Sequence, residues 1–259
     1  MKFGVCLPPQ RTIENPPSHA DYIEVSASQI HALDSHEWEK FYRNVKEKQI
    51  RAYSCNNFTP AELRLTGPDV NFDAVRQYCD ELFDRLAALD VKMLVFGSGK
   101  SRQVPDGFPI EQAWEQLFEV GHIFATKAKT YGQTIAVEPL AYGKVNIINT
   151  VEDGVAYAKT INQDNFKVLV DFYHFDSNGE PFSSLKKNRD WIVHTHFATS
   201  KTRTMPKSEE EWAFFTRCLT ELYQIGYTGH MSFEGGIFEN DEFNAMFDRM
   251  KQIEKKFHA

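Results

Sequence analysis

The chain has 259 residues, 42% of them hydrophobic and 25% charged, with a formal net charge of −7. That is enough for one sizeable core, and it matches the roughly 250 residues of a single α/β barrel. The acidic balance excludes a broad basic face for nucleic acid or for an anionic membrane surface, and no apolar run approaches the ~20 residues of a membrane helix.

Cys6, Cys55, Cys79 and Cys218 are widely spaced, with no Cys-x-x-Cys pair. They read as free thiols of a reducing compartment rather than as a disulfide framework or a thiolate zinc site. The opening run reaches Pro8-Pro9 before a signal-peptide core can form, so a cytoplasmic location is expected.

Short apolar runs alternate with longer amphipathic ones. Phe3 to Leu7 reads as a strand that stops at the two prolines, and Gln10 to Ala20 as a loop with room for a helical turn. Tyr22 to Val25 is a second strand, followed by a helical pattern near His36 to Lys48 with Trp38, Phe41 and Val45 on one face. Ile50 to Ser54 is expected as the third strand, opening into the polar loop Cys55-Asn56-Asn57.

A helix over Asp73 to Leu89 carries Val75, Tyr78, Leu82 and Leu86 at helical spacing. Met93 to Phe96 is strand four, Ile110 to Tyr131 a helix, and Thr134 to Val137 strand five, ending at Glu138-Pro139. Asn149-Thr150 caps a helix reaching Ile161. The short, β-branched run Val168-Leu169-Val170 is strand six, buried on both faces. Ile192 to His196 is strand seven, and Ser208 caps a helix that stops at Gly226. His230 to Phe233 is strand eight, and Asp241 to Phe257 the last helix.

Regular strand-then-helix alternation points to a parallel sheet. Eight units in this length predict a closed (β/α)8 TIM barrel, with residues 1–259 as a single domain. No Gly-x-Gly-x-x-Gly follows the first strand and no P-loop motif occurs, so a nucleotide-binding fold has no support.

In such a barrel the C-terminal strand ends form the active rim. Strand five ends at Glu138, strand six at Asp171, strand seven at His196 and strand eight at Glu234. Taken alone, Asp171 reads equally well as a helix N-cap. Four consecutive strands that each deliver one ligand to the same mouth are better explained by a divalent ion of the Mn, Co, Mg or Zn kind. His194 shares the strand parity of His196 and is read as a supporting or layer-filling residue. Arg203, in the next loop, either holds a substrate oxygen or is a solvated loop arginine. His230 begins strand eight and belongs to the opposite face.

Glu138-Pro139-Leu140 with Asn146 and Ile148-Asn149-Thr150, then Asp171-x-x-His174, His194-x-His196 and Ser232-Phe233-Glu234, resemble the xylose isomerase-like sugar phosphate isomerase/epimerase family. Ketose 3-epimerases of the tagatose/psicose type and hydroxypyruvate isomerase belong to it. Phe96-Gly97-Ser98-Gly99 with Arg102 is similar to the family's loop after strand four. The resemblance implies Glu138, Asp171, His196 and Glu234 as metal ligands, His174 and Arg203 on substrate oxygens, and Glu138 and Glu234 as the acid/base pair. It further implies proton transfer through an enediolate on a carbohydrate.

There are two departures. Ketose 3-epimerases carry a second glutamate six residues past the first, and here that place is Lys144. The loop after His196 reads Met205-Pro206-Lys207 rather than Pro-Gly-x-Gly. Lys144 with Arg203 and Lys201 points to a phosphorylated or acidic sugar as substrate. The alternatives are a metal-dependent dehydratase of the inosose dehydratase type and an endonuclease IV-like DNA hydrolase. The latter gathers three zinc ions with histidines after strands three and four, where this chain has Cys55-Asn56-Asn57 and Gly97-Ser98-Gly99. Phe172-Tyr173-Phe175 could support a homo-oligomer.

Overall fold

A computed structural model describes residues 1–258. Eight strands close in sequence order into a barrel. They are β1 (Lys2–Leu7), β2 (Tyr22–Ser26), β3 (Ala52–Asn56), β4 (Met93–Phe96), β5 (Thr134–Val137), β6 (Phe166–Asp171), β7 (Ile192–Phe197) and β8 (His230–Phe233). Every neighbouring pair is parallel, and Lys2 opposite His230 closes the ring. The expected (β/α)8 architecture is therefore the one observed.

Long amphipathic helices cover the outside, and their starts are set by local chemistry. Asp34 with Glu37, Thr150 with Asp153 and Ser208 with Glu211 each form a reciprocal capping box, which satisfies backbone N–H groups that the first turn leaves open. Inward faces such as Val75, Leu82 and Leu86 of the Phe72–Ala88 helix pack into one continuous apolar layer between helices and strands.

β3 departs from expectation by two residues. Ile50 closes the preceding helix instead, its N–H bonding to Val45 O at 2.9 Å, and the strand runs on through Asn56. The polar Asn56 looks like loop by composition, yet the neighbouring ladder carries it, with Ser26 of β2 opposite. Short helices also form where the chain leaves β1, β4 and β6, at Pro9–Glu14, Gly99–Arg102 and Phe172–Ser177. They put backbone and side chains around the mouth.

Inside the barrel, β4 to β6 contribute the apolar group Met93, Val95, Ala136 and Leu169, separate from the outer layer. β2, β3, β7 and β8 contribute Glu24, Ser54, His194, His196 and Ser232, all at 0% exposure. The floor is aromatic: Tyr53 stacks on His230 with centroids 3.6 Å apart, and Tyr22 meets the same imidazole edge-on. His230 thus lies at the N-terminal face, as its position at the strand start implied. Gly4 makes room for this floor, since a Cβ there would sit 2.4 Å from the Tyr22 ring.

Candidate functional site

Four strand ends meet at the C-terminal mouth. Glu138 directly follows β5, Asp171 ends β6, His196 is the penultimate residue of β7, and Glu234 directly follows β8. Parallel register brings them level. Asp171 pairs with His196, Glu138 N bonds to Phe96 O at 3.1 Å, and Glu234 N bonds to Phe197 O at 3.1 Å. One donor atom from each of the four lies within 4.8 Å of all the others.

Three carboxylates this close repel one another, and two cations offset the repulsion. Arg203 Nη2 donates to Glu234 Oε2 at 2.6 Å and reaches Asp171 Oδ2 at 3.5 Å. His196 Nδ1 lies 3.2 Å from Glu234 Oε2 and 3.7 Å from Glu138 Oε1. Burial and the Glu138 charge push Asp171 up to about 8, with Arg203 only partly opposing. Burial also works against the charge on Glu234, but His196 and Arg203 outweigh it and hold that carboxyl down at about 2. Burial likewise disfavours a charged His196, yet the carboxylates of Glu24 and Glu234 prevail and raise it well above an ordinary imidazole.

The two readings of Asp171 prove compatible, because its two oxygens divide the work. Oδ1 caps the Phe172–Ser177 helix by accepting from Tyr173 N at 2.7 Å, while Oδ2 faces Arg203 and His174. His174, 1% exposed, accepts from Ala141 N at its Nδ1, 3.1 Å away. The ring hydrogen is therefore on Nε2, which is buried without a partner, 3.8 Å from Asp171 Oδ2. Burial draws this imidazole down to about 4, so it stands neutral as a donor at pH 7.

Arg203 is aimed by its loop. It adopts a left-handed φ of 50°, held by Arg203 N to Thr199 O at 2.8 Å and by the linked hydroxyls of Thr199, Thr202 and Thr204. Its guanidinium lies over the Tyr173 ring, 4.9 Å from the centroid. Gly97 leaves room for the Glu138 carboxylate in this position, because a Cβ there would lie 1.9 Å from Glu138 Oε2 and displace it. Behind both strand ends the fully buried Arg102 donates to Phe96 O at 3.0 Å and to Glu138 O at 2.6 Å. Burial lowers that guanidinium to about 10.

Lys144 is exposed on the turn after β5 and lines a recess of about 240 Å³ together with Lys100, Glu138, His174 and Arg203. Lys201 does not join them. It lines a separate surface recess with Glu210 and Glu211, so the expected grouping of Lys144, Arg203 and Lys201 is not formed. An adjoining recess of about 380 Å³ is lined by Cys6, Ser26, Asn56 and Ile237 as well as Arg203 and Glu234.

Sequence reasoning overlooked Glu24 and Asn56. Asn56 Nδ2 donates to Glu234 Oε1 at 2.7 Å. Glu24 accepts from His194 and His196, both at 2.9 Å, from Ser54 at 2.7 Å and from Ser232 at 2.6 Å. The available signal was an acid at the centre of the otherwise apolar Tyr22-Ile23-Glu24-Val25, in phase with the interior-facing side of its strand.

The donor set suits a divalent ion. Three carboxylates and one imidazole are the hard and borderline ligands that Mn, Co, Mg and Zn accept. Glu138 Oε1 is buried with no hydrogen-bond partner, as expected of an atom whose partner is a cation. The ends of β3 and β4 present Asn56, Asn57 and Ser98 rather than the further histidines a three-zinc centre requires.

A family model described as the xylose isomerase-like TIM barrel matches residues 18–253. A D-psicose 3-epimerase of Ruminiclostridium cellulolyticum is 22% identical over 228 residues, 83% of this chain and 73% of that protein. A 3-dehydro-D-guloside 4-epimerase of Escherichia coli is 28% identical over 120 residues, 46% of this chain and 45% of that one. The solved D-psicose 3-epimerase with D-tagatose from Clostridium cellulolyticum H10 superposes with a TM-score of 0.78 at 19% identity, covering 99% of this chain and 98% of that one.

Proposed function

Given that the chain belongs to the xylose isomerase-like TIM-barrel family, we propose that it is a divalent-metal-dependent epimerase acting on a keto sugar. The observation that carries this reading is the convergence of Glu138, Asp171, His196 and Glu234 beside the unpartnered Nε2–H of His174. That the relatives named above are sugar epimerases supports it.

Glu138, Asp171, His196 and Glu234 are the residues to hold the ion, which would supply the positive charge that makes a C–H beside a sugar carbonyl acidic. Glu138 and Glu234 then form the proton-transfer pair, one removing the carbon-bound proton and the other returning a proton to the opposite face. The enediolate of the sugar needs hydrogen-bond donors for its developing charge. His174 Nε2–H is a donor without a partner at the mouth, and the Arg203 guanidinium, which donates to Glu234 Oε2, adds positive charge beside it. Glu138 and Asp171 are themselves buried, at 4% and 3% exposure, so few solvent molecules can reach their carboxylates.

The test is proton–deuterium exchange in D2O over a panel of ketoses, sugar acids and sugar phosphates with added Mn2+. A single exchanging C–H next to the carbonyl, with the epimer appearing at the same rate, is the expected result. Loss of water from the sugar without exchange into recovered substrate would replace the proposal with a dehydratase.

A further inference from the structure

We propose that Glu24 is the positioning residue of this site, a buried carboxylate that holds His196 so that Nδ1 faces the ion. The inference rests on the reading of Glu138, Asp171, His196 and Glu234 as the metal ligands. Glu24 itself lies beneath the mouth at 0% exposure, beyond reach of substrate.

Its two oxygens have separate tasks. Oε1 accepts only from His196 Nε2, at 2.9 Å. Oε2 accepts from His194 Nε2 at 2.9 Å, from Ser54 Oγ at 2.7 Å and from Ser232 Oγ at 2.6 Å. The Ser232 hydroxyl, committed as a donor to Glu24, accepts in turn from Tyr22 Oη at 2.8 Å. Three donors on one oxygen hold the carboxylate rigidly and leave the other oxygen for a single imidazole. Donors come from β3, β7 and β8 onto an acid of β2, so the position of the group is set by the barrel itself rather than by a loop.

The consequence for His196 is geometric. A carboxylate can only accept, so His196 must present a hydrogen at Nε2. That leaves Nδ1 as the atom directed at Glu138 and Glu234, 3.7 and 3.2 Å away. An imidazole whose far N–H is tied to a carboxylate is fixed in orientation and in tautomer, and it is also a more basic ligand. Without Glu24 the ring could rotate about its χ2 bond, or carry its hydrogen on Nδ1 toward Glu234, and either change withdraws the lone pair from the ion. Glu24 is also a costly residue to bury unless it has such partners, which argues against its being simple filling of the barrel.

The experiment measures Mn2+ affinity of the full chain by calorimetry, together with the visible spectrum of the Co2+-loaded protein. Glu24→Gln keeps shape and loses charge, and it is expected to bind Mn2+ 10- to 100-fold more weakly, with an altered Co2+ spectrum. Ser54→Ala removes one donor to Oε2 and leaves the His196 bond, so it is expected to stay within threefold of the parent. Glu24→Asp is the second arm in case the amide does not fold. It cannot span both imidazoles, and it too is expected to weaken binding at least tenfold. Parent-like Mn2+ affinity in a folded Glu24 variant, with Glu138→Gln still binding-deficient, overturns the positioning role and leaves the metal reading standing. A parent chain that binds neither Mn2+ nor Co2+ overturns both.

Discussion

From β4 to β6 the barrel interior is packed with Met93, Val95, Ala136 and Leu169, whereas from β7 round to β3 it holds His194, His196, Ser232, Glu24 and Ser54. Each apolar residue needs only volume, and each polar one needs a named partner. The difference carries up to the rim. Ala136 and Leu169 lie two residues below Glu138 and Asp171 on the same strands, so those carboxylates stand on a low-dielectric wall. His196 and Glu234 stand on, or beside, the charged wall. One mouth therefore holds a carboxyl pushed up to about 8 and another held down at about 2. Burial and the Glu138 charge raise the proton affinity of Asp171, whereas His196 and Arg203 outweigh burial and lower that of Glu234.

The largest expected effect comes from taking one acid away from each side. Glu138→Gln above the apolar wall and Glu234→Gln beside the charged wall should each lower kcat about 10³-fold, or ~4 kcal/mol, with the metal-free thermal midpoint shifted by no more than a few degrees. Steady-state turnover and solvent-deuterium exchange check this. Parent-like exchange in both variants would remove the proton-transfer pair from the mechanism. A change confined to the apolar wall acts on stability rather than on turnover. Leu169→Ala, at a fully buried position, should cost 2–5 kcal/mol in urea unfolding, about the range for a leucine deleted from a packed core. Mn2+ affinity should remain within about threefold, since the substitution removes apolar volume from the group of Met93, Val95 and Ala136 and leaves all four candidate ligands in place.

The two walls differ in how well the sequence announced them. The apolar strands were legible because Met93-Leu94-Val95-Phe96 and Thr134-Ile135-Ala136-Val137 are short apolar runs with clear ends, and the strands match them residue for residue. The rim residues Glu138, Asp171, His196 and Glu234 could be located for the same reason, because each sits where such a run stops. Glu24 was invisible to that logic, as it lies inside a strand rather than at its end. Only the pairing of β2 with β3 and the closure through β8 and β1 bring Ser54, Ser232 and the two histidines around it. Those contacts separate residues by 30 to 208 positions in the chain, and no local pattern encodes them. Asn56 escaped for a related reason: its composition reads as loop, and only the neighbouring strand makes it a strand end.

The proton balance of the mouth gives a third test, smaller per step. In the metal-free protein the Asp171 carboxyl is raised from an ordinary value of 3.8 to about 8. Between those values the folded state binds more protons than the unfolded chain, so this group lowers stability as pH rises through that window. His196, raised well above its ordinary value, acts in the same sense: its stabilisation is present at low pH and fades as pH rises through the folded-state value. Ion binding must expel both protons, and Mn2+ affinity should therefore climb by at least about one decade per pH unit from pH 6 to pH 8. Calorimetry at three pH values measures the slope, and the proton release per ion measures its cause. A flat profile would mean that neither the apolar wall nor the carboxylate cluster perturbs these groups in the way described.

The smallest effect belongs to the rim outside both walls, where Lys144 and Lys100 line one recess with His174 and Arg203. Neither lysine has an ion-pair partner among the described residues, although the chain is acidic overall. If the substrate of the proposed reaction carries an acidic group away from the reacting carbon, these two unpaired cations are placed to attract it. Lys144 is exposed, so solvent and salt screen its charge and limit its worth to about 1 kcal/mol. Lys144→Ala should accordingly raise KM by no more than ~5-fold for a sugar acid or phosphosugar, leave KM for the neutral ketose unchanged, and leave kcat unchanged for both. The selectivity, not the size, is informative. An equal rise for charged and neutral sugars would show that the lysine shapes the recess rather than reading charge, and the substrate would then be a neutral ketose.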